Sequence, residues 1–444
     1  MEANLIIVGV GFIALFVLLF LEVPIAFGMG FVGFAGFAYI VGLTPALRGV
    51  GQIASDTVFN YDFSVLPLFI LMGNFVAYSR ISQDLYDTSN AWLGHQRGGL
   101  ANATILASAG FSAVCGSSLA TAATMTKVAL PPMRRYGYAD SLAAGAIASG
   151  GTLGILIPPS VAFVFYGIMT QSDIGKLFAS GVFPGILGAL LYIAAIVVTT
   201  RIWPQLGPPG DRTSWAGRVK ALRGVWGMLL LFAIVMGGLY IGFFTPVEAA
   251  GIGAAGGFAI ALGRRTLTWP LLKRVLVESG RTSAMLFIIL VGSLIFAQFI
   301  NVAKFPNYLA QWVQALDAGP YTVLIAIIVI YVILGCILES MSMLLLTVPV
   351  FYPIIAGLDF GLGGPERTLI WFGVLVVVVI EISLITPPIG LNVFVLKSLM
   401  PETSLATIFR GVTPFIIADI VRVVILVSLP IISLWLPDLM WAKK

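Results

Sequence analysis

Ile157-Pro158-Pro159-Ser160 interrupts an apolar stretch, and Thr386-Pro387-Pro388-Ile389 repeats the interruption 229 residues later. Proline has no N–H to donate and clashes with the preceding helical turn, so a Pro-Pro pair ends a helix. In lipid every backbone polar group must be paired inside the protein, and a break survives only where it is buried or lines a cavity. Two such breaks therefore predict an all-α polytopic membrane protein whose halves each contribute one interrupted helix.

The rest of the chain fits this reading. Of 444 residues, 59% are hydrophobic and 10% charged, and mean hydropathy is +1.04. A soluble domain carries roughly 25% charged residues. With roughly 20 apolar residues per crossing, about twelve segments between Leu5 and Trp435 are of sufficient or nearly sufficient length. They leave little room for an extramembrane domain. Residues 5–20 run through Glu22-Val23-Pro24 into a second apolar stretch with no basic residue before them, so they read as a first membrane helix rather than a cleaved signal. Cys115 and Cys336 lie in apolar surroundings and are expected as free thiols.

The net charge of +5 is better explained by basic cytoplasmic loops than by an acidic or nucleic-acid partner. Arg201, Arg212, Arg218, Lys220 and Arg223 fall in the polar stretch 201–224, and Arg264, Arg265, Lys273, Arg274 and Arg281 form a second cluster. Val225 to Gly263 between them suffices for two crossings, which returns the chain to the same face. Lys443-Lys444 pull weakly towards that face.

Other landmarks keep the order set by the proline pairs. Gly181-Val182-Phe183-Pro184 matches Gly411-Val412-Thr413-Pro414, Leu68 to Gly73 matches Phe287 to Gly292, and Pro24 matches Pro246, at offsets of 230, 219 and 222. An internal repeat of this kind is common in secondary transporters. The predicted organisation is a first repeat over 1–200, a basic cytoplasmic linker over 201–224 and a second repeat over 225–440. An odd number of crossings per half would invert the second repeat and leave both termini periplasmic.

Each half has a second interruption. Ala101–Leu130 is cut by Cys115-Gly116-Ser117-Ser118, followed by Thr121 and Thr124, which predicts a helical hairpin over about 101–130. The next helix, about 140–170, is broken by Gly150-Gly151-Thr152-Leu153-Gly154 and then by the prolines. In the second half Gly335-Cys336-Ile337-Leu338-Glu339-Ser340 holds the hairpin position (about 322–357), and Glu381, Ser383, Thr386 and Asn392 lie on the broken helix (about 369–399). Hydroxyls and unwound carbonyls suit a hard monovalent cation, and helix N-termini suit an anion. The plainer alternative is that Gly, Ser and Thr only allow close helix packing; their recurrence beside Pro-Pro in both halves favours a site. Glu339 and Glu381, acids in apolar segments, are each compatible with ligating sodium, carrying a proton or edging a wet cavity. His95 reads as a solvated loop residue rather than a proton relay, and Arg134 and Arg135 as a hairpin-exit loop. Lys127 reads as snorkelling to the interface rather than facing an anion.

At these residues the chain resembles the large membrane subunit of tripartite ATP-independent periplasmic (TRAP) transporters, the DctM-like family, over nearly its whole length. Its specific pieces are Leu66 to Gly73, Gly94-His95-Gln96-Arg97-Gly98-Gly99-Leu100-Ala101, Gly116 to Thr121, Ile157 to Ser160, Phe244-Thr245-Pro246-Val247-Glu248-Ala249-Ala250 and Leu384 to Asn392. The resemblance implies a sodium-driven importer of a small organic acid (a carboxylate or sialic-acid-like compound) in the bacterial inner membrane. It would work as an elevator with a scaffold and a mobile transport domain bearing two re-entrant hairpins. It implies a periplasmic substrate-binding protein and a small four-helix membrane subunit, here expected as a separate protein. Two or more Na+ are implied. One site would use Ser112, Cys115, Ser117, Ser118, Gly154 and Pro159, and another Gly335, Ser383, Thr386 and Ile389. Substrate between the tips would meet Thr121, Thr124, Ser160, Glu339, Ser340 and Asn392. The chain departs from the family in having Cys115 where Ser is common, Ser383 where Gly is common and Glu339 where Asp is common. A thiol is a poor sodium ligand, which counts against side-chain ligation at Cys115. Residues 359–367 look like an insertion. The alternative function is a stand-alone sodium- or proton-coupled anion carrier. With one His, no HExxH and no paired acids on one helix, the sequence does not read as an enzyme.

Overall fold

The computed structural model describes residues 2–335 and 337–441; Cys336 and Lys443-Lys444, singled out above, lie outside that range. Among the described residues the chain forms twenty α-helices and no strand. The first ten are α1 (Glu2–Phe20), α2 (Ile25–Val41), α3 (Leu43–Phe59), α4 (Val65–Tyr78), α5 (Ile81–Leu93), α6 (Gly99–Cys115), α7 (Ser118–Arg135), α8 (Asp140–Thr152), α9 (Val161–Thr170) and α10 (Ile174–Ile202). After the linker come α11 (Trp215–Ile241), α12 (Pro246–Gly263), α13 (Trp269–Val302), α14 (Phe305–Ala315), α15 (Pro320–Gly335), α16 (Ser340–Ala356), α17 (Pro365–Ser383), α18 (Leu391–Leu399), α19 (Leu405–Ser428) and α20 (Ile431–Trp441).

Among the described residues 6 helices are long and apolar enough to cross a membrane: Tyr61–Tyr78, which includes α4, and α10, α11, α12, α13 and α19. That is fewer than the apolar segments in the sequence. The shortfall is physical: Gly, Ser and Pro split several apolar runs into half-length helices such as α6, α9, α15 and α16. Large apolar side chains on the outer helices, among them Ile6, Ile13, Phe31, Ile234 and Val424, stand exposed, as a surface facing acyl chains requires.

Local chemistry fixes the helix starts. Thr245 begins α12 with a capping box: its N–H donates to Glu248 Oε2 at 2.8 Å, and Glu248 N–H donates back to Thr245 Oγ1 at 3.3 Å. Pro246 takes the first helical position, where a missing N–H costs nothing. Ser214, Thr268 and Ser404 cap α11, α13 and α19 in the ordinary way.

Two helix crossings depend on small residues. On α2, a methyl at Gly33 would lie 2.6 Å from the Phe296 backbone of α13, and Gly292 of α13 abuts the Ala26 carbonyl in return. On α8, Gly145 meets Gly411 of α19, and Gly411 meets the Ser141 carbonyl. Backbones this close gain dispersion and leave no room for side chains. Both crossings join the first half of the chain to the second.

The polar stretch 201–224 is largely helical, with Arg201 on α10 and Arg218, Lys220 and Arg223 on α11; only 203–214 lies between them, including a short 3₁₀ turn at Pro204–Leu206. This segment is tied down. Gly98 N–H donates to the Gly207 carbonyl at 2.8 Å, Gly210 N–H to Gly94 O at 2.8 Å and Ala139 N–H to Leu206 O at 3.0 Å. Arg134 holds Asp140 with Nε on Oδ1 at 3.0 Å and Nη2 on Oδ2 at 2.9 Å, so the exit of α7 is clamped to the start of α8. The guanidinium holds the Asp140 carboxyl below its ordinary range.

Candidate functional site

The first interruption is a two-residue turn. Helix α6 ends at Cys115, Gly116 takes φ +64°, and extended Ser117 (φ −134°, ψ 123°) caps α7 by accepting from Ala120 N–H at 3.4 Å. Only glycine enters the left-handed region without strain, and at Gly116 a methyl would also lie 3.1 Å from the Pro159 carbonyl. Gly154, in the 3₁₀ turn Leu153–Ile155 after α8, packs on the other side: its methyl would lie 2.8 Å from Ser117 O and 3.0 Å from Ser118 N. The α6–α7 tip is thus seated on the α8–α9 break. The Pro158-Pro159 bond within that break is cis, as is Pro387-Pro388 in the other half.

The second interruption is built alike. Glu339 caps α16, its Oε2 accepting from Met341 N–H at 3.1 Å, Ser342 N–H at 3.2 Å and Ser342 Oγ at 3.2 Å. Gly335, at the end of α15, lies directly against Ser383 of α17. Ser383 Oγ donates to Ile380 O at 2.7 Å and Thr386 Oγ1 to Ile382 O at 2.6 Å. A hydroxyl that gives its proton to a helix carbonyl keeps both lone pairs outward, as a cation ligand must.

A cavity of about 220 Å³ lies between the two tips. Its wall holds Cys115, Ser117 and Ser118 from one and Glu339 and Ser340 from the other, with Asn74 of α4 and Thr282 of α13 across from them. The other expected substrate contacts, Thr121, Thr124, Ser160 and Asn392, do not line it. Thr121 Oγ1 donates to Ser117 O at 2.8 Å. Ser160 caps α9 and donates to the Ile155 carbonyl. Asn392 Nδ2 reaches across to Ala148 O at 3.0 Å. Thr124 lies further along α7, half-buried. Sequence reasoning missed Asn74 and Thr282; Asn74 was findable as a lone amide in an apolar helix, and it donates to Ser279 Oγ at 2.8 Å. Lys127 is exposed and does not line the cavity. His95 is half-buried in the turn after α5, with Nδ1 buried and unpartnered.

Of the residues expected to hold sodium, Ser112 passes one test for a cation ligand, an open buried oxygen. Ser108 Oγ, Ser112 Oγ and Ser149 Oγ on α6 and α8, and Asn392 Oδ1 on α18, are buried without hydrogen-bond partners. Buried polar atoms are ordinarily satisfied, so oxygens left open beside both breaks match a ligand that wants several neutral oxygens. Among the described residues no cluster of His, Cys, Asp and Glu suits a divalent or transition metal.

One buried group lies apart from the cavity. Arg422 of α19 is wholly buried with Glu381 and Asp419. Its Nη2 donates to Glu381 Oε2 at 2.5 Å and stands 2.7 Å from Asp419 Oδ1; Tyr192 OH donates to Asp419 Oδ2 at 2.7 Å. Glu381 is therefore ion-paired. Asp419 and Arg422 were missed in the sequence, although two charges three residues apart in an apolar helix are the signal for such a group.

The chain matches the family described as "Tripartite ATP-independent periplasmic transporter, DctM component" over residues 12–432. It is 35% identical over 410 residues to the C4-dicarboxylate TRAP transporter large permease protein DctM of Pseudomonas aeruginosa, covering 91% of this chain and 93% of that one. It is 29% identical to the sialic acid TRAP transporter large permease protein SiaM of Vibrio cholerae, over 95% of this chain and 96% of the relative. Among solved structures, the Alcanivorax borkumensis YdaH transporter has the same general fold, with a TM-score of 0.58, 14% identity and 90% of each chain covered.

Proposed function

This chain belongs to the DctM component family of the TRAP transporters, not to an enzyme family, and we propose that it is the sodium-driven translocating subunit for a small organic acid in a bacterial inner membrane. Its relatives handle C4-dicarboxylates and sialic acid by name. A separate small four-helix membrane subunit and a periplasmic binding protein complete the transporter in this reading, and transport proceeds by an elevator motion of the two tips and two breaks together.

The observation that carries the proposal is the cavity between the tips. Its volume is below the roughly 300–1,000 Å³ typical of sites for drug-sized ligands, a size suited to a small acid. The start of α7 forms part of its wall, and a helix N-terminus favours an anion. Across the cavity stands Glu339, whose carboxylate already occupies the start of α16. An acid substrate placed between them meets a like charge, and cations bound at the adjacent breaks would offset it. Sodium coupling follows from that balance: substrate binds well only once sodium has loaded. Ser112, Cys115, Ser117, Ser118, Gly154 and Pro159 around the first break, and Gly335, Ser383, Thr386 and Ile389 around the second, would hold the ions.

The test is uptake into proteoliposomes holding the chain with its two partners, with and without a sodium gradient. Ser118→Ala and Thr386→Ala are each expected to raise the sodium concentration needed for half-maximal uptake by about tenfold, the loss of one ligand at roughly 1.4 kcal/mol. Uptake driven equally well by a proton gradient alone would overturn the sodium assignment. Uptake without either partner would favour a stand-alone carrier.

A further inference from the structure

An apolar groove and a basic pocket meet at Arg264, away from the transport site. The groove runs between α11 and α12 and has a volume of about 550 Å³. Trp226, Leu230 and Ile234 line one side, and Gly256, Ala259 and Ile260 the other. These residues recur at helical spacing, so each helix gives one face to the groove. Among the described residues its wall holds one charged side chain, Arg264, just beyond the end of α12. The pocket, of about 590 Å³, has the opposite chemistry: Arg80, Asp84, Arg265 and Thr266 surround the same Arg264.

Arg264 builds the junction and spends its charge there. Its Nη1 donates to Ser79 O at 3.2 Å and to Asp84 Oδ2, and its Nη2 donates to the Gly224 carbonyl. One guanidinium thus ties together α4, α5, α11 and α12, and it neutralises Asp84. Arg80 and Arg265 remain. Both are exposed, and neither has an ion-pair partner among the described residues. Each stands one residue past the C-cap of its helix, α4 or α12, at φ +64° and +55°. Glycine is the usual residue at such a position, because a side chain is strained there. A helix C-terminus attracts a cation, which accounts for a basic residue near each end but not for two that share one pocket with a third. Behind the pocket Arg274 and Glu278 pair with each other at 2.8 Å, so the pocket keeps the two uncompensated positive charges of Arg80 and Arg265.

We propose that groove and pocket together bind one anionic phospholipid, with its phosphate between Arg80 and Arg265 and an acyl chain between α11 and α12. The dimensions agree. Ile234 lies eight residues from Trp226, about 12 Å along the axis at the usual rise, within the roughly 15 Å of hydrocarbon in one leaflet. Trp226 stands exposed near the basic end of the groove, at the level where tryptophan meets headgroups. Basic pockets between helices on the cytoplasmic side suit such headgroups, and the sequence reads this end of the chain as cytoplasmic. A soluble anion would engage the arginines and leave the groove unfilled. An apolar helix of a partner would cover the groove and leave the arginines without a counter-charge. A phospholipid answers both features at once, whichever ion drives transport.

Native mass spectrometry of the full chain, titrated with phosphatidylglycerol and with phosphatidylethanolamine as the neutral reference, tests this. One phosphatidylglycerol is expected to bind more tightly than the reference. Arg80→Gln and Arg265→Gln should each weaken it about fivefold, the effect of one arginine beside an anionic headgroup, and the pair roughly 25-fold. Arg212→Gln with Lys220→Gln removes the same charge from exposed positions outside the pocket and should leave binding within about twofold. Gly227→Leu leaves every arginine in place. Its Cβ makes ordinary contact with Ile260 at 3.9 Å, while the rest of the side chain occupies the groove, and binding should fall at least about fivefold. Should that variant not fold, the arginine pair decides. The proposal is overturned if the arginine pair binds phosphatidylglycerol like the wild type, or if the Arg212 and Lys220 control loses as much. Gly227→Leu with wild-type binding would remove the acyl groove from the site and overturn it too. Displacement of the lipid by excess inorganic phosphate would assign the pocket to a soluble anion, and displacement by the small membrane subunit would assign the groove to a partner helix; either result overturns it.

Discussion

Gly154→Ala is the most demanding test of the seat between the first tip and the first break. The new methyl would lie 2.8 Å from Ser117 O, 2.9 Å from Ser117 C and 3.0 Å from Ser118 N. All three are backbone atoms, so no side-chain rotation relieves the contact. Ordinary packing requires the α6–α7 tip to retreat by roughly 0.5 Å in a close-packed interior. Overpacking of this kind costs about 1–3 kcal/mol. On the sodium proposal the tip would seat most tightly around the ion, so most of the strain should appear as lost sodium affinity, roughly 5- to 150-fold. The assay is the sodium dependence of uptake in proteoliposomes with the partner subunits, read beside the melting temperature. Gly237→Ala on α11 is the control: nothing lies within 4 Å of its added methyl, and the helix gains up to about 1 kcal/mol. A Gly154→Ala protein whose half-saturating sodium stays within about twofold of wild type, a difference well under 1 kcal/mol, would refute the reasoning.

Three further outcomes follow from individual contacts. Asp140→Asn removes the bidentate partner of Arg134, a pair with side chains 38% and 32% exposed, so it should cost about 1 kcal/mol or less. Because the Asp140 carboxyl is held below its ordinary 3.8, that stability is present above this value and lost as pH falls through the folded value; melting curves of the two proteins should converge in acid. Thr245→Ala opens the capping box of α12 and should lower stability by about 1 kcal/mol with uptake unchanged at permissive temperature, since neither Thr245 nor Glu248 lines the cavity. Gly188→Ala drives a methyl into Arg422 Nη1 and should cost roughly 1–3 kcal/mol, visible as a lower melting temperature.

Punctuation residues made much of the architecture legible. Gly116-Ser117 and the two Pro-Pro pairs announce helix ends whatever packs around them: α6 ends at Cys115, next to Gly116, and α8 and α17 end at Thr152 and Ser383, shortly before the proline pairs. Thr245-Pro246-Val247-Glu248 likewise encodes its own helix start. What pairs with what across the fold was not legible. Glu339 reads as an intramembrane acid in the sequence, but its carboxylate is spent on its own helix N-terminus. Asn392 looks like a ligand on a broken helix, yet its amide nitrogen is committed to α8. Glu381 gives no hint of Arg422, 41 residues away, because no local period links them; only the packing of α17 on α19 does. Likewise, a count of apolar segments overstates the long helices, since hydropathy is blind to a turn of two small residues.

The bond from Asn392 Nδ2 to Ala148 O joins the second break to the helix that leads into the first. Together with the backbone contact of Gly145 on Gly411, it ties the two interruptions to each other. If both interruptions hold ions, as proposed, their separation is set by these contacts and the two ions would move in step. On the elevator proposal, spin labels on α8 and α18 should report a single unchanging distance through the transport cycle, while either label measured against α13 should change.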